Sequence, residues 1–392
     1  MPWKETSAMD QRLQLIGDWL SREYTKCELS QIYGISRPTV DKWIARYQTR
    51  GPSGLEEASR APQRHPNQTA ISLCEAIVAM KLQHQQWGPK KVLDRLRREQ
   101  PQRPWPADST AGLILKRAGL VRPRVRRRHM APHTEPFRDC AGPNQVWSAD
   151  FKGDFRLGNG ARCYPLTLSD NFSRYLLLCQ ALTLHTYDVV RPWMEWGFRE
   201  YGLPEAIRTD NGPPFASLAL GGISPLAKWW IQLGIRPERI RPGNPAQNGR
   251  HERMHRTLKA AVPPQPDLQA QQRHYEPFRR EYNWERSHEA LNRHPPGSVY
   301  QASPRPYPPK LRPIEYEAGF IVRRVRHNGE IKWKGHHIYV SEVLAKEPLG
   351  LKPVDEDRWE LYYSFQRLGI WDPRTNTITQ PEGWHGAPWE KR

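Results

Sequence analysis

Between residues 146 and 182 the chain reads as three short strand-like runs, 146–155, 164–169 and 175–182, the first two separated by a Gly158-Asn159-Gly160 turn. Helical patterning follows over 189–198. A short strand then ends at Asp210, a helix carries Leu226, Trp229 and Leu233, a strand lies near Ile235, and a helix starts near Gln247. A meander followed by alternating strands and helices excludes an all-helical fold and predicts a mixed α/β sheet in the middle of the chain.

With 392 residues the chain is too long for one ordinary core, so further modules must flank that sheet. Its 60 lysines and arginines against 41 acidic residues leave a formal charge of +19, which points to a polyanion as partner. Residues 1 to 130 hold 24 of those bases against 12 acids, so the amino-terminal third carries +12 of the excess. No run of eighteen apolar residues and no signal-peptide pattern occurs, which predicts a cytoplasmic protein without membrane contact. Cys27, Cys74, Cys140, Cys163 and Cys179 form no C-x-x-C pair, so neither a disulfide framework nor a zinc knuckle is expected.

In the amino-terminal region Leu13, Ile16, Trp19 and Leu20 suggest one helical face, and Leu29 and Ile32 a second, before Gly34. Ser36 suits an N-cap and Pro38 a first turn, and Val40, Trp43, Ile44 and Tyr47 then recur at helical spacing. The opposite face of this third helix carries Arg37, Thr39, Lys42 and Arg46, able to reach bases and phosphates from a major groove. A packed three-helix domain with a solvated face is the alternative reading. After a Pro-rich linker (51–66), apolar periodicity resumes with Ile71, Cys74, Ile77 and Val78, then Val92, Leu93 and Leu96. A last helix, for which Ser109 is the candidate cap, carries Leu113, Ile114, Lys116 and Arg117 and stops at Gly119. A second helix-turn-helix-like unit fits 67–121, and so does a helical spacer. The basic linker 122–139 contains Arg124, Arg126, Arg127 and Arg128, a set suited to tracking phosphates.

Residues 295–313 are proline-rich, as expected of a stiff tether. Beyond them, 320–325, an Asn328-Gly329 turn, 331–333, 338–340 and 359–363 read as strands of a small barrel or sheet, and the last twenty residues as disordered.

Three acids stand out. Asp150 falls within an apolar strand, where an uncompensated charge is costly. Asp210 ends a strand just before Asn211-Gly212, a usual position for a site residue in an α/β sheet. Glu252 lies on a helix whose same face also presents His255, Arg256 and Lys259. Three carboxylates from separate elements suit hard divalent cations and two-metal phosphoryl transfer. Each also has a plainer reading: a turn cap for Asp210, an i,i+4 pair with Arg256 for Glu252, and a salt bridge for Asp150. Asp154, at even spacing from Asp150, and Asp170, at the start of a turn, are weaker candidates.

Together, WSADFKG from Trp147, TDNGPPF from Thr209 and GNPAQNGRHERMHRTLK from Gly243 resemble the DDE transposase and retroviral-type integrase superfamily, specifically bacterial insertion-sequence transposases. The resemblance covers nearly the whole chain. It implies an RNase H-like sheet in 140–294, with Asp150, Asp210 and Glu252 as catalytic residues and ligands of two Mg²⁺ (or Mn²⁺) ions. Asn248 and Gly249 belong to the glutamate's signature. It further implies helix-turn-helix DNA binding in 1–50 and 67–121, an exit from the core over 298–308, a DNA-binding β-barrel in 314–375 and a disordered tail in 376–392. The 41 residues between Asp210 and Glu252 exceed the integrase interval, and an insertion around Gly221 and Gly222 would absorb the difference. The implied protein binds the terminal repeats of its element as a homo-oligomer on double-stranded DNA, nicks the ends and joins 3′-hydroxyls to target DNA, in a bacterial cytoplasm at the nucleoid. A catalytically silent DNA-binding regulator and an RNase H-like nuclease without strand transfer are the alternatives.

Overall fold

A computed structural model describes residues 7–57, 59, 68–121, 140–217, 219–240, 249–355 and 357–379. The chain divides into two compact units, Met1–Gln68 and Thr69–Arg392.

The first unit holds α1 (Ala8–Leu20), α2 (Lys26–Ile32) and α3 (Arg37–Arg50). Two capping boxes start the first two helices, Ser7 with Asp10 and Thr25 with Glu28, each satisfying backbone N–H groups that a helix start leaves without partners. Leu15, Ile16, Leu29, Val40, Ile44 and Leu55 close the core. Leu55 belongs to a 3-10 turn, Gly51–Leu55, so the start of the expected 51–66 linker is core instead. The expected face of α1 is rotated: Leu13 and Leu20 are exposed, because Leu15 and Ile16 point inward with Trp19 beside them. Ile32 is exposed at the end of the short α2. Ser36 precedes α3 as its N-cap but makes no side-chain cap bond; its hydroxyl meets that of Thr39 at 2.9 Å.

The second unit begins with α4 (Ile71–Gln83), α5 (Pro89–Glu99) and α6 (Asp108–Arg117), packed around Ile77, Trp87, Val92, Leu93, Ala111 and Leu115. Ala107, not Ser109, is the N-cap of α6, since the helix starts two residues earlier than its apolar pattern suggested.

The central sheet contains β1 (Val146–Phe151), β2 (Phe155–Arg156), β3 (Arg162–Asp170) and β4 (Leu176–Leu182). After α7 (Tyr187–Tyr201) come β5 (Ala206–Thr209), α8 (Pro225–Gln232), β6 (Arg236–Arg239), α9 (Gly249–Ala261) and α10 (Leu268–Trp284). β1, β3 and β4 form an antiparallel meander, while β5 and β6 run parallel to β1, giving the order β4-β3-β1-β5-β6 with β2 paired to the start of β3. The expected single strand 146–155 is therefore two, interrupted at 152–154. Trp147, Leu166, Leu168, Met194, Phe198, Ile207 and Trp230 lie in the core between sheet and helices.

The 17-residue α10 corresponds to no sequence expectation, yet it finishes the sheet. Leu176 donates to and accepts from the Asn283 amide (2.8 and 2.9 Å), and the Gln272 amide bonds Ala181 N–H and Cys179 C=O (2.8 and 3.2 Å). These side chains satisfy the edge of β4 as a further strand would. The other side of α10 receives the α4–α6 group. Trp87 Nε1 donates to Glu281 at 2.8 Å, Ser287 Oγ to Asp94 at 2.8 Å, and Arg293 bridges Asp94 and Asp108. Trp87→Phe keeps the stacking on His84 (3.9 Å between ring centres) but removes the donor to a carboxylate, a bond of about 1.5–3 kcal/mol. The amides of α4–α6 are expected to exchange with solvent about tenfold faster in this variant while those of β1 and β3 do not change; unchanged α4–α6 protection would show that this bond does not hold the group.

Residues 295–313 are not a free tether. Tyr300, Tyr307 and Leu311 pack against the central core, and the Arg305 guanidinium donates to the carbonyls of Pro204, Leu233 and Gly234. Prolines here shape a strap laid along the sheet domain.

β7 (Ile321–Arg324), β8 (Glu330–Trp333), β9 (His336–Tyr339), β10 (Pro348–Pro353), β11 (Trp359–Tyr363), β12 (Gln366–Asp372) and β13 (Thr377–Thr379) follow. They make an antiparallel sheet β13-β12-β11-β10-β7 and the hairpin β8-β9. β13 lies within the stretch expected to be disordered; residues 380–392 fall outside the described residues. One helix serves both sheets: Leu226, Trp229 and Trp230 of α8 enter the central core, whereas Ala227 and Ile231, with Ile223 just before the helix, enter the carboxy-terminal one. Lys228 of α8 pairs with Glu347 at 2.8 Å. Gly221, at φ +64, brings the preceding turn close enough that a Cβ there would stand 2.9 Å from Leu368, so the Gly221-Gly222 turn forms part of this junction.

Candidate active site

Asp150 is the fifth residue of β1. The parallel register Val146↔Ala206, Trp147↔Ile207, Ser148↔Arg208, carried two residues further, sets Asp150 beside Asp210, the first residue after β5. Asp210 Oδ1 accepts from Gly212 N–H at 3.2 Å, and Asn211 next to it is tied to the Ile240 carbonyl at 2.8 Å, which fixes the turn. Glu252 lies in the first turn of α9, exposed, between buried His251 and buried Met254.

Electrostatics couples Asp150 to the other two acids. Burial, then the charge of Asp210, and more weakly that of Glu252, push the Asp150 carboxyl up to about 7. Lys152 and Lys259 stand nearby, and burial together with the Lys259 charge lowers the Lys152 ammonium. Asp150 is thus a partly buried carboxyl that feels two other acids, while the ligand atoms that lie within 4.8 Å of one another among the described residues are those of Asp150, His251 and His255. Oxygen donors that repel one another fit a hard divalent cation, whose charge relieves the crowding.

On the sheet beneath Asp150 lies a polar layer of which the sequence reading named only His255. Thr167, the cross-strand partner of Asp150, meets Nε2 of both His251 and His255 at 2.7 Å, and Ser169 meets Nδ1 of His251 at 2.8 Å. Burial lowers the pKa of both imidazoles, that of His255 to about 3, so both are neutral. The available signal was His251 and His255 at i,i+4 with Met254 and Leu258 between and after them, a buried stripe containing two imidazoles.

The weaker candidates stand apart. β1 ends at Phe151, so even spacing does not carry Asp154 onto the face of Asp150; Asp154 instead pairs with Arg162 at 2.7 Å. Asp170 is buried and accepts from Ser173 N–H and Oγ–H and from Asn144 N–H, the work of a turn residue. Glu252 forms no ion pair with Arg256 among the described residues; Arg256 and Lys259 are exposed on α9. In the first unit Arg37 and Lys42 are exposed on α3, Thr39 is half-buried, and Arg46 lies over the Trp43 ring (4.9 Å) while donating to Glu56 C=O at 3.1 Å. Lys116 and Arg117 are exposed at the end of α6. Arg124, Arg126, Arg127, Arg128 and Asn248 lie outside the described residues. All five cysteines are free, and no helix among the described residues is long and apolar enough to cross a membrane.

Comparison with known families places these features in a frame. The helix-turn-helix domain family matches residues 11–63, a homeodomain-like domain 39–115, the integrase core domain 141–245 and again 233–296, and the carboxy-terminal domain of IS481 family transposases 321–379. The chain is 30% identical over 185 residues (46% of this chain, 64% of the relative) to a 31.7 kDa protein of insertion element IS407 from Burkholderia multivorans (strain ATCC 17616 / 249). It is 29% identical over 257 residues (62% of this chain, 69% of the relative) to a 39.2 kDa protein of insertion element IS476 from Xanthomonas euvesicatoria. It thus spans about two thirds of the length of each. Among solved structures, a cryo-EM structure of the simian T-cell lymphotropic virus intasome matches 76% of this chain and 100% of its own at 17% identity and a TM-score of 0.37.

Proposed function

We propose that this chain, built from helix-turn-helix domains, an integrase core domain and the carboxy-terminal domain of IS481 family transposases, acts as a DNA transposase. It binds the terminal repeats of a mobile element, cuts at the element end and joins that end to target DNA. The observation that carries the reading is the Asp150 carboxyl, raised by burial and by the charges of Asp210 and Glu252.

In this reading Asp150, Asp210 and Glu252 hold two Mg²⁺ or Mn²⁺ ions, which supply activation of the attacking oxygen and stabilisation of the leaving one. The chain's own residues do the rest. β1 and the turn after its parallel neighbour β5 carry two of these carboxylates, and α9 carries the third. Lys152, Lys259 and Arg256 offer positive charge to the phosphates entering the centre. Arg37, Thr39, Lys42 and Arg46 of α3, with Lys116, Arg117 and the basic stretch through Arg124, Arg126, Arg127 and Arg128, provide the DNA anchor. Copies of the chain assemble on DNA, since two ends must be brought together.

The test is incubation of purified protein with labelled DNA carrying the element's end, with Mg²⁺ or Mn²⁺, beside a Glu252→Gln control. Metal-dependent nicking and joining in the wild type, at least ~10²-fold reduced in the control, is the expected outcome. Nicking without joined products would favour a nuclease, and binding without chemistry a regulator.

A further inference from the structure

On α7, Arg191 follows Tyr187 by one helical turn, and on α8 Lys228, Trp229 and Gln232 share a face. These two faces line a cavity of about 340 Å³, bounded further by Leu311 of the strap and by Val343 and Glu347 before β10. The Arg191 guanidinium carbon stands 5.2 Å from the centre of the Trp229 ring and 5.9 Å from that of Tyr187. Ring faces attract the cation and fix its place, but they offer no oxygen to its N–H groups. Among the described residues no oxygen accepts from this guanidinium, and its Nε is buried in that condition. The acids of its own helix do not serve it: Asp188 makes no ion pair among the described residues, and Glu195 is taken by Arg199 at 2.7 Å. Glu347 is engaged by Lys228 at 2.8 Å and by Gln232 Nε2 at 3.2 Å. Arg191 and Lys228 against Glu347 thus leave the lining one net positive charge and more N–H donors than acceptors. The cavity lies on the face of the sheet away from the carboxylates, since Trp147 and Ala149 of β1 point towards α7 and α8 whereas Asp150 lies towards His255 of α9.

We propose that this cavity is an oxyanion site whose ligand is a phosphate group, held by the Arg191 guanidinium with Lys228 and Gln232 beside it. A guanidinium fork matches two oxygens of a phosphate, and a phosphodiester carries the single negative charge that balances the lining. The volume is roughly ten times what one water takes in the liquid, which leaves room for a phosphate with a sugar attached. A DNA backbone and free phosphate share this chemistry. The site stands whether or not the carboxylates cut DNA, because it uses none of their groups. Its ligand ties α7 and α8 to the strap and to the segment before β10, and so steadies the junction of the two sheets.

Calorimetric titration of the full-length protein with inorganic phosphate, in EDTA, tests this without metal or DNA chemistry. Arg191→Met is expected to bind phosphate ~10–100-fold more weakly than the wild type, and Arg191→Lys, which keeps the charge but not the fork, by an intermediate factor. Phosphate should raise the melting temperature of the wild type but not of Arg191→Met. Where only Arg191→Lys folds, it decides alone: weaker binding supports the proposal and equal binding overturns it. A wild type that does not bind phosphate, or an affinity that neither variant lowers, also overturns it. A short DNA duplex in place of phosphate separates the two sources. If Arg191→Met weakens duplex binding and lowers its salt slope by about 1, the ligand is a DNA phosphate. If duplex binding is unchanged while phosphate binding is lost, the ligand is free phosphate.

Discussion

Replacing Asp150 by Asn is expected to reduce strand cleavage by ~10³-fold or more and, without divalent cation, to make the protein more stable rather than less. Both effects have one source. Asp150 is held partly buried and feels the charges of Asp210 and Glu252, so its own charge is disfavoured. A carboxyl raised from an ordinary 3.8 to about 7 corresponds to about 4 kcal/mol at the upper end. The sign follows from proton counting. Between the two values the folded state binds more protons than the unfolded one, so this group's contribution declines as pH rises through that window and the full cost is present above about 7. Asn, uncharged throughout, escapes it. In EDTA at pH 8 the variant should therefore melt higher than the wild type, with the difference shrinking towards pH 4. Mg²⁺ or Mn²⁺ should raise the melting temperature of the wild type but barely that of the variant. A variant that is less stable in EDTA at pH 8 would show that the carboxylate is not under this tension.

Thr167→Val is the second large effect, and it acts through the layer below. Valine keeps the shape of threonine but deletes the hydroxyl shared by His251 and His255, leaving two buried Nε2 atoms without that partner. At about 1–3 kcal/mol for each orphaned group, the loss should reach about 3–5 kcal/mol. Thr167→Ser loses only a methyl group and keeps the hydroxyl, and should cost about 1 kcal/mol. Calorimetry of the full chain measures both as shifts of the main transition. Equal shifts for the two variants would mean that the hydroxyl shared by the two imidazoles contributes nothing.

The parts of this architecture that could be read in the sequence are those that announce themselves by period or by chemistry. β1 with Asp150, the strand ending at Asp210 and the helix bearing Glu252 were legible because an acid in an apolar strand and an acid before a glycine turn are anomalies that demand a reason. α10 was not legible. Good helix formers fill it, but its buried face mixes Gln271 and Asn283 with Tyr275, Phe278 and Tyr282, and Pro277 interrupts the run, so no continuous apolar stripe marks it. The amides are buried because they complete the edge of β4, a fact of tertiary structure that no local pattern carries. His251 and Thr167 were missed for a related reason: each looks ordinary until β3 and α9 are brought together. The strap at 295–313 misled through composition, since prolines signal stiffness but do not say whether the stiff segment is free or packed. Leu55 and β13 were assigned to linker and tail because proline-rich and terminal sequence is usually loose, whereas one buried leucine and one edge pairing suffice to order them.

The helix shared by the two sheets limits how such a chain can be rearranged over evolutionary time. Ala227 and Ile231 on one side of α8, and Leu226, Trp229 and Trp230 on the other, belong to different cores, so neither half can be exchanged by recombination without stranding apolar surface on the half left behind. An amino-terminal anchor can be traded as a cassette, since the first unit closes its own core. The carboxy-terminal sheet cannot, and change there should come by substitution within that sheet rather than by replacing it.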